Sequence, residues 1–430
     1  MTQSRTAKQV LTRPLVVVLV LLSIAYVTYT LCRFYFPLAL SSIQKEFGLT
    51  LVQAGFLSTA YLFSQGVASF LIGPIADKYG SGKVLILSCL VNGLFTSLLV
   101  VATGFIDVTF YQVGFGVGQG MFNTVVYAMA AFLGGVEWRG RMTAIINYPY
   151  QVMSFVTPVV TGFLLLGSPT AWRMVALVYG IITIISGVIL LIWWKKAEQA
   201  VLDERVRLGL PLPADSKAKS GEPPFSVWKS LKILGTGRNC YLSLAISGFE
   251  NMFRWGWLAL GPLFLVNAWH LSLLDAGVIM SAGNLSGVVG ALLVSGYLTD
   301  KIGRRYTIIV FGISMSVCGI LFFDFAPHNV LLLSILSFGF QYGNNGEYNV
   351  TMNVMQDSVA DERALGTATG LVQAFRYLFG GFAGPLFAGL WSLYGPEFGA
   401  NVGIILLGCA LPTFLAFFIK ETLVKKRKAA

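Results

Sequence analysis

Long apolar runs, broken only by short polar clusters, are the feature that most restricts this chain. An α-helix needs ~20 apolar residues to cross ~30 Å of hydrocarbon. Breaking the 430-residue sequence at its charge clusters and turn residues leaves twelve runs of about that length. They fall near 14–41, 51–76, 83–104, 107–135, 142–167, 172–194, 239–267, 274–299, 305–324, 329–356, 365–393 and 398–419. The runs are too long for membrane β-strands and lack the alternation of a barrel. Charged residues make up only 11% of the chain, too few for a water-soluble surface on all sides. A soluble enzyme and a nucleic-acid module are therefore excluded. The expected fold is an all-α membrane protein of twelve transmembrane helices.

Lysine and arginine set the orientation. With the N-terminus inside, most basic residues collect on the cytoplasmic side, among them Arg5, Lys8, Arg13, Lys78, Lys83, Arg139, Arg141, Lys301, Arg304, Arg305 and the tail Lys425–Lys428. Both termini are expected in the cytoplasm, and the net charge of +11 is topological and lipid-facing. The first run is too long for a signal-peptide core and has no cleavage site of small residues, so it is expected to stay attached. The five cysteines are scattered without CxxC spacing, which predicts packing residues and no metal or cofactor site. Neither N-x-S/T match, at Asn284 and Asn349, falls in a predicted outside loop, in keeping with a bacterial inner membrane.

A polar stretch, 195–237, carries Pro211, Pro213, Pro223 and Pro224 and divides the chain into an N-terminal six-helix half, 1–194, and a C-terminal half, 238–430. The halves repeat one another at a near-constant offset. Arg33 corresponds to Arg254, Ala54-Gly55 to Ala276-Gly277, and Thr143-Ala144 to Thr367-Ala368. Gly73-x-x-x-Asp77-Lys78-x-Gly80 corresponds to Gly296-x-x-x-Asp300-Lys301-x-Gly303-Arg304. Pseudo-symmetric halves with a ligand site between them at the midplane are a recurrent transporter plan. These loop motifs, one after the second span of each half, resemble those of the major facilitator superfamily. The resemblance implies a monomeric secondary transporter with no enzymatic role, gated on the cytoplasmic side by Gly73, Asp77, Gly80, Gly296, Asp300, Gly303 and Arg304. Glycines at Gly114, Gly116, Gly118 and Gly120 predict close helix packing in the fourth span.

Only Arg33, Glu250, Arg254, Glu347 and Arg376 place a charge well inside a predicted span. Each costs at least ~2.5 kcal/mol at the centre of a membrane helix, so each is expected to have a partner or a function. Arg33 and Arg254 occupy equivalent places in the repeat and predict a two-arginine clamp on an anion, since guanidinium binds carboxylate or phosphate in bidentate fashion. Arg376 is either a third ligand or a partner for Glu347. Glu250, four residues before Arg254, either pairs with that arginine or carries a proton. Glu347 is either a proton acceptor or the partner of Arg376. Tyr29, Asn123, Tyr127, Asn147, Gln151 and Asn345 are candidate substrate ligands.

Tyr29-x-x-x-Arg33-x-x-Phe36 and Arg254-x-Gly256-x-x-x-x-x-Pro262 resemble the organophosphate:phosphate antiporter branch, whose paired arginines bind phosphate. Ser69 stands where that branch has a second-span cation, and its fifth-span histidine is absent. A sugar acid or other carboxylate, as in the similar anion:cation symporter branch, needs less positive charge. The expected activity is secondary transport of a small organic anion by alternating access, coupled to protons. A phosphate antiporter running on a counter-anion, and a transporter-like ligand sensor, are the alternatives.

Overall fold

The computed structural model describes residues 12–207, 237–325, 329–358 and 365–422. Among them the chain is helical throughout, with short turns. The helices are α1 (Arg13–Phe47), α2 (Leu51–Tyr79), α3 (Ser81–Leu98), α4 (Phe105–Leu165), α5 (Ala171–Arg207), α6 (Arg238–Asn267), α7 (Leu273–Ile302), α8 (Arg304–Ile320), α9 (Val330–Ser358) and α10 (Leu365–Tyr394). A last helical run, 396–416, winds as α, π and α in turn. Four segments, Arg13–Phe47, Ser81–Val101, Ala171–Arg207 and Arg304–Asp324, are long and apolar enough by themselves to cross a membrane. α5 continues past Trp193 and Trp194 to Arg207, and residues 208–236 of the central stretch lie outside the described residues.

The expected break between the fourth and fifth spans is a bend without loss of helical backbone. α4 has 61 residues and would be ~90 Å long if straight. It is not straight. Tyr29 of α1 donates to Asn123 Oδ1, while Tyr26, one turn earlier, donates to Asn147 Oδ1. Those two asparagines would stand ~36 Å apart on a straight helix. α4 therefore doubles back within 124–146, and its two arms lie against the same stretch of α1.

Glycines decide how the arms meet their neighbours. A Cβ on Gly114 would meet Phe95, and one on Gly118 would meet Asn92, both on α3. On Gly116 or Gly120 it would meet Tyr61, Ser64 or Gln65 of α2. Pairs four apart face one helix, and the intervening pair faces the other, so the run packs as expected. The loop glycines serve a different purpose. Gly80 and Gly303 take φ of 95° and 98°, a region that disfavours L side chains, and Gly80 has open space around its Cα. Backbone reversal, rather than close helix approach, requires Gly80. Gly73, Asp77, Gly296 and Asp300 fall within α2 and α7, but their side chains lie outside the described set.

Residues 13–207 meet residues 238–422 at the end where α1 stops and α2 starts. Asn267 donates to Gln44 at 2.9 Å. Gly55 and Gly384 cross so closely that a Cβ on Gly55 would lie 2.6 Å from the Gly384 carbonyl oxygen. A second crossing sets Gly277 against the Pro158 carbonyl and Gly162 against that of Leu273. The contacts reach the middle of the bundle at Gln65, which donates to the Tyr377 hydroxyl, and at Asn284, which donates to the Ser154 carbonyl.

Because both atoms at the first crossing belong to backbone, Gly55→Val is expected to destabilise the folded protein by ~1–3 kcal/mol. A lower melting temperature in detergent checks this, with Gly104→Ala, at a site with open space, as the control.

Candidate functional site

Arg33 and Arg254 line one cavity between α1, α4, α6, α7 and α9. Gln151, Ser154, Asn284, Gln341 and Asn345 supply its polar wall, and Phe34, Tyr150, Trp255 and Leu258 its apolar one. No acidic residue is among the described residues of this wall. The cavity is therefore cationic, with neutral hydrogen-bonding groups arranged around two guanidinium ions.

The two arginines are held differently. Arg33 is 8% exposed. Its Nη1 donates to Tyr29 Oη at 2.5 Å and to Gln119 Oε1 at 3.3 Å. Its guanidinium carbon lies 4.7 Å from the Trp255 ring centroid, a cation–π contact that joins α1 to α6. A slot at Gly380 admits Trp255, since a Cβ there would run into the indole. Arg254 instead donates to Asn345 Oδ1 at 3.2 Å and lies 5.1 Å from the Tyr348 ring centroid. Asn345 in turn donates to Ser286 Oγ at 3.0 Å, which fixes its amide.

Arg376 lies outside the cavity wall. It is 1% exposed, donates to the Tyr348 carbonyl at 2.6 Å and stacks 3.5 Å from the centroid of the same ring. Tyr348 thus carries a guanidinium from α6 and another from α10. The expected pairing of Glu347 with Arg376 does not form, because the Tyr348 carbonyl and ring take that arginine and both Glu347 carboxylate oxygens are without a hydrogen-bond partner. The expected Glu250–Arg254 pair is also absent. Asn344 Nδ2 donates to Glu250 Oε1 at 3.3 Å, while Asn345 takes Arg254. Tertiary partners on α9 outcompete the contact that four-residue spacing allows. Glu250 and Glu347 are both fully buried.

Of the candidate ligands, Gln151 and Asn345 face the cavity. Tyr29 lies behind Arg33 as its hydrogen-bond acceptor, while Asn123 and Asn147 accept from Tyr29 and Tyr26 and hold α4 to α1. The Tyr127 side chain is outside the described set. Trp255 and Tyr348 were not legible as site residues, since aromatics are 13% of the chain and either could be core. Their one sequence signal is position: Trp255 adjoins Arg254, and Tyr348 adjoins Glu347.

Arg304 makes its contact with α9. Its Nε donates to Asp357 Oδ2 at 3.0 Å, and the backbone N–H groups of Arg304 and Arg305 donate to the Glu421 carboxylate at 2.9 and 3.0 Å. A carboxylate at a helix N-terminus is favourable for both hydrogen bonding and the helix dipole.

Comparison with known proteins agrees with this geometry. The model of the Major Facilitator Superfamily matches residues 22–385 and 242–429, so the chain belongs to that family. A probable L-galactonate transporter of Escherichia coli K12 is 25% identical over 288 residues, 66% of this chain and 61% of that protein. A probable hexose phosphate transport protein of Chlamydia pneumoniae is 22% identical over 427 residues, 92% of this chain and 88% of that one. The fold matches a bacterial homologue of the human lysosomal transporter Spinster, solved inward-facing and unoccupied, with a TM-score of 0.78. Identity there is 13%, and the match covers 96% of this chain and 98% of that one.

Asp357→Ala removes the acceptor for Arg304 and is expected to destabilise the protein by ~1–3 kcal/mol. Thermal melting in detergent measures it. A melting curve identical to wild type would mean that Glu421 alone holds the start of α8.

Proposed function

We propose that this protein is a secondary transporter of a small hydroxylated organic anion, a sugar acid or a related carboxylate. The observation that carries the reading is the cavity: Arg33 and Arg254 on one wall system, amides around them, and no carboxylate among the described lining residues. An anion entering it gains charge-assisted hydrogen bonds, and Gln151, Asn284, Gln341 and Asn345 suit hydroxyl groups. A phosphate monoester calls for more positive charge. Tyr150, Gln151 and Ser154 are what the fifth-span arm of α4 contributes to the wall, and none adds a cation. The relatives named as a probable L-galactonate transporter and a probable hexose phosphate transport protein represent the two substrate classes, carboxylate and phosphate ester, between which the choice is made.

In this reading the two six-helix halves, 1–194 and 238–430, rock about the cavity while the Gly55–Gly384 and Gly162–Gly277 crossings separate. The chain works as a monomer in a bacterial inner membrane with both termini in the cytoplasm. Protons drive uptake. Glu250 and Glu347, buried beside the site with three of their four carboxylate oxygens unpartnered, are the carriers. The gate on the cytoplasmic side uses Asp77 and Asp300 together with Arg304.

Purified protein in liposomes, loaded or unloaded with the same acid, tests transport and coupling together. Wild type should accumulate a sugar acid against its gradient when the outside is acidic, and Arg33→Gln should reduce uptake by at least ~100-fold. Flux driven equally well without a proton gradient would remove the symport, and absence of any flux by the protein alone would favour a sensor.

Glu347→Gln separates the coupling from the carrier. It should abolish accumulation driven by the pH gradient while exchange of internal for external acid continues. Full accumulation by this variant and by Glu250→Gln would exclude both glutamates as the proton site.

A further inference from the structure

We infer that the two cavity arginines take separate anionic groups, so that the preferred substrate is a dicarboxylate, or another anion with acidic groups at both ends. The inference deepens the anion-transporter reading and rests on it. Arg254 and Trp255 are consecutive in α6, so their side chains leave the axis ~100° apart. Trp255 turns toward Arg33 and stacks on its guanidinium at 4.7 Å. Arg254 instead reaches Asn345 and the Tyr348 ring.

Each arginine is also tethered to the helices on its own side. Tyr29 and Gln119 hold Arg33 at α1 and α4, whereas Asn345, fixed by Ser286, holds Arg254 at α9. Convergence on a single carboxylate would bring two like charges together on one small group. A ligand with an acidic group at each end meets both guanidinium ions where they stand. Nε of Arg33 is buried and has no partner, which leaves that arginine a donor for one end. The amides of Gln151, Asn284 and Gln341 line the same space and suit hydroxyls along the chain between the ends. Charge balance agrees: two arginines and no described acidic residue on the wall match a dianion better than a monoanion.

The test is affinity, by calorimetry on the full chain in detergent, within two series of fixed carbon skeleton. Glucitol, gluconate and glucarate differ in having no, one or two carboxylates, and butyrate and succinate repeat the step from one to two. Glucarate should bind about tenfold or more tighter than gluconate, equivalent to ~1.4 kcal/mol. In Arg33→Gln and in Arg254→Gln that ratio should collapse toward one. Unliganded melting curves establish that each variant is folded, and the wild-type ratio alone tests the inference if one is not.

No advantage of the diacid in either series overturns the inference. Equal binding of gluconate and glucarate, both lost in either single variant, would show the arginines sharing one carboxylate; the dicarboxylate assignment then fails while the organic-anion reading stands. Glucitol binding as tightly as both acids would overturn both.

Discussion

A cation placed inside a membrane bundle calls for local compensation, and this protein holds its buried arginines chiefly with dipoles and aromatic faces. Arg33 rests on Tyr29, Gln119 and the Trp255 ring, Arg254 on Asn345 and the Tyr348 ring, and Arg376 on the carbonyl and ring of Tyr348. Glu250 receives a hydrogen bond from Asn344. A direct ion pair would neutralise each arginine at the expense of its affinity for a ligand, since an entering anion would have to displace a carboxylate. An amide oxygen or an aromatic face is a weaker competitor. The guanidinium ions stay charged, oriented and available, which a binding site for anions requires.

The same economy of contact appears where residues 13–207 meet residues 238–422. At Gly55–Gly384 and at Gly162–Gly277 the surfaces that touch are backbone. Small residues allow close approach and strong dispersion contact. At these two points no side chain stands between the helices, while Trp255 on Arg33 and Tyr61 on Trp255 pack side chains across the seam nearer its middle. Hydrogen bonds at Gln44–Asn267, Gln65–Tyr377 and Ser154–Asn284 add orientation to a seam that glycine makes close. A bundle that must open and reclose gains from this division between proximity and specificity.

Much of this was legible from residue type and spacing. Long apolar runs foretold the helices, and the repeat foretold matching loop geometry: Gly80 and Gly303, equivalent in sequence, take nearly the same φ. Arg33 and Arg254 reached one cavity as their equivalence suggested. What was not legible depended on tertiary choice. The bend in α4 keeps helical backbone where a break was expected, and the contacts of Asn123 and Asn147 with a single stretch of α1 reveal the reversal, as do those of Phe122 and Tyr150 with Tyr26. Four-residue spacing brings Glu250 within reach of Arg254, but α9 offers each a better partner, and no local rule anticipates an asparagine from a distant helix. Tyr348 and Trp255 were hidden among aromatics that fill ordinary core.

Asn344 and Asn345 bring these features together. They are neighbours in α9, their side chains diverge by ~100°, and they serve different sites. Asn345 holds Arg254 at the cavity, and Asn344 holds the buried Glu250. One turn farther along, Tyr348 stacks against both Arg254 and Arg376. A small rotation of this part of α9 therefore changes the setting of a cavity arginine and of a buried carboxylate in the same movement. Two consecutive amides on one helix link the two groups without an extended chain of residues. Under the proposed proton-coupled transport, an anion on Arg254 and a proton on Glu250 would act on the same helical turn, and reciprocity of binding energies would make each influence the affinity for the other.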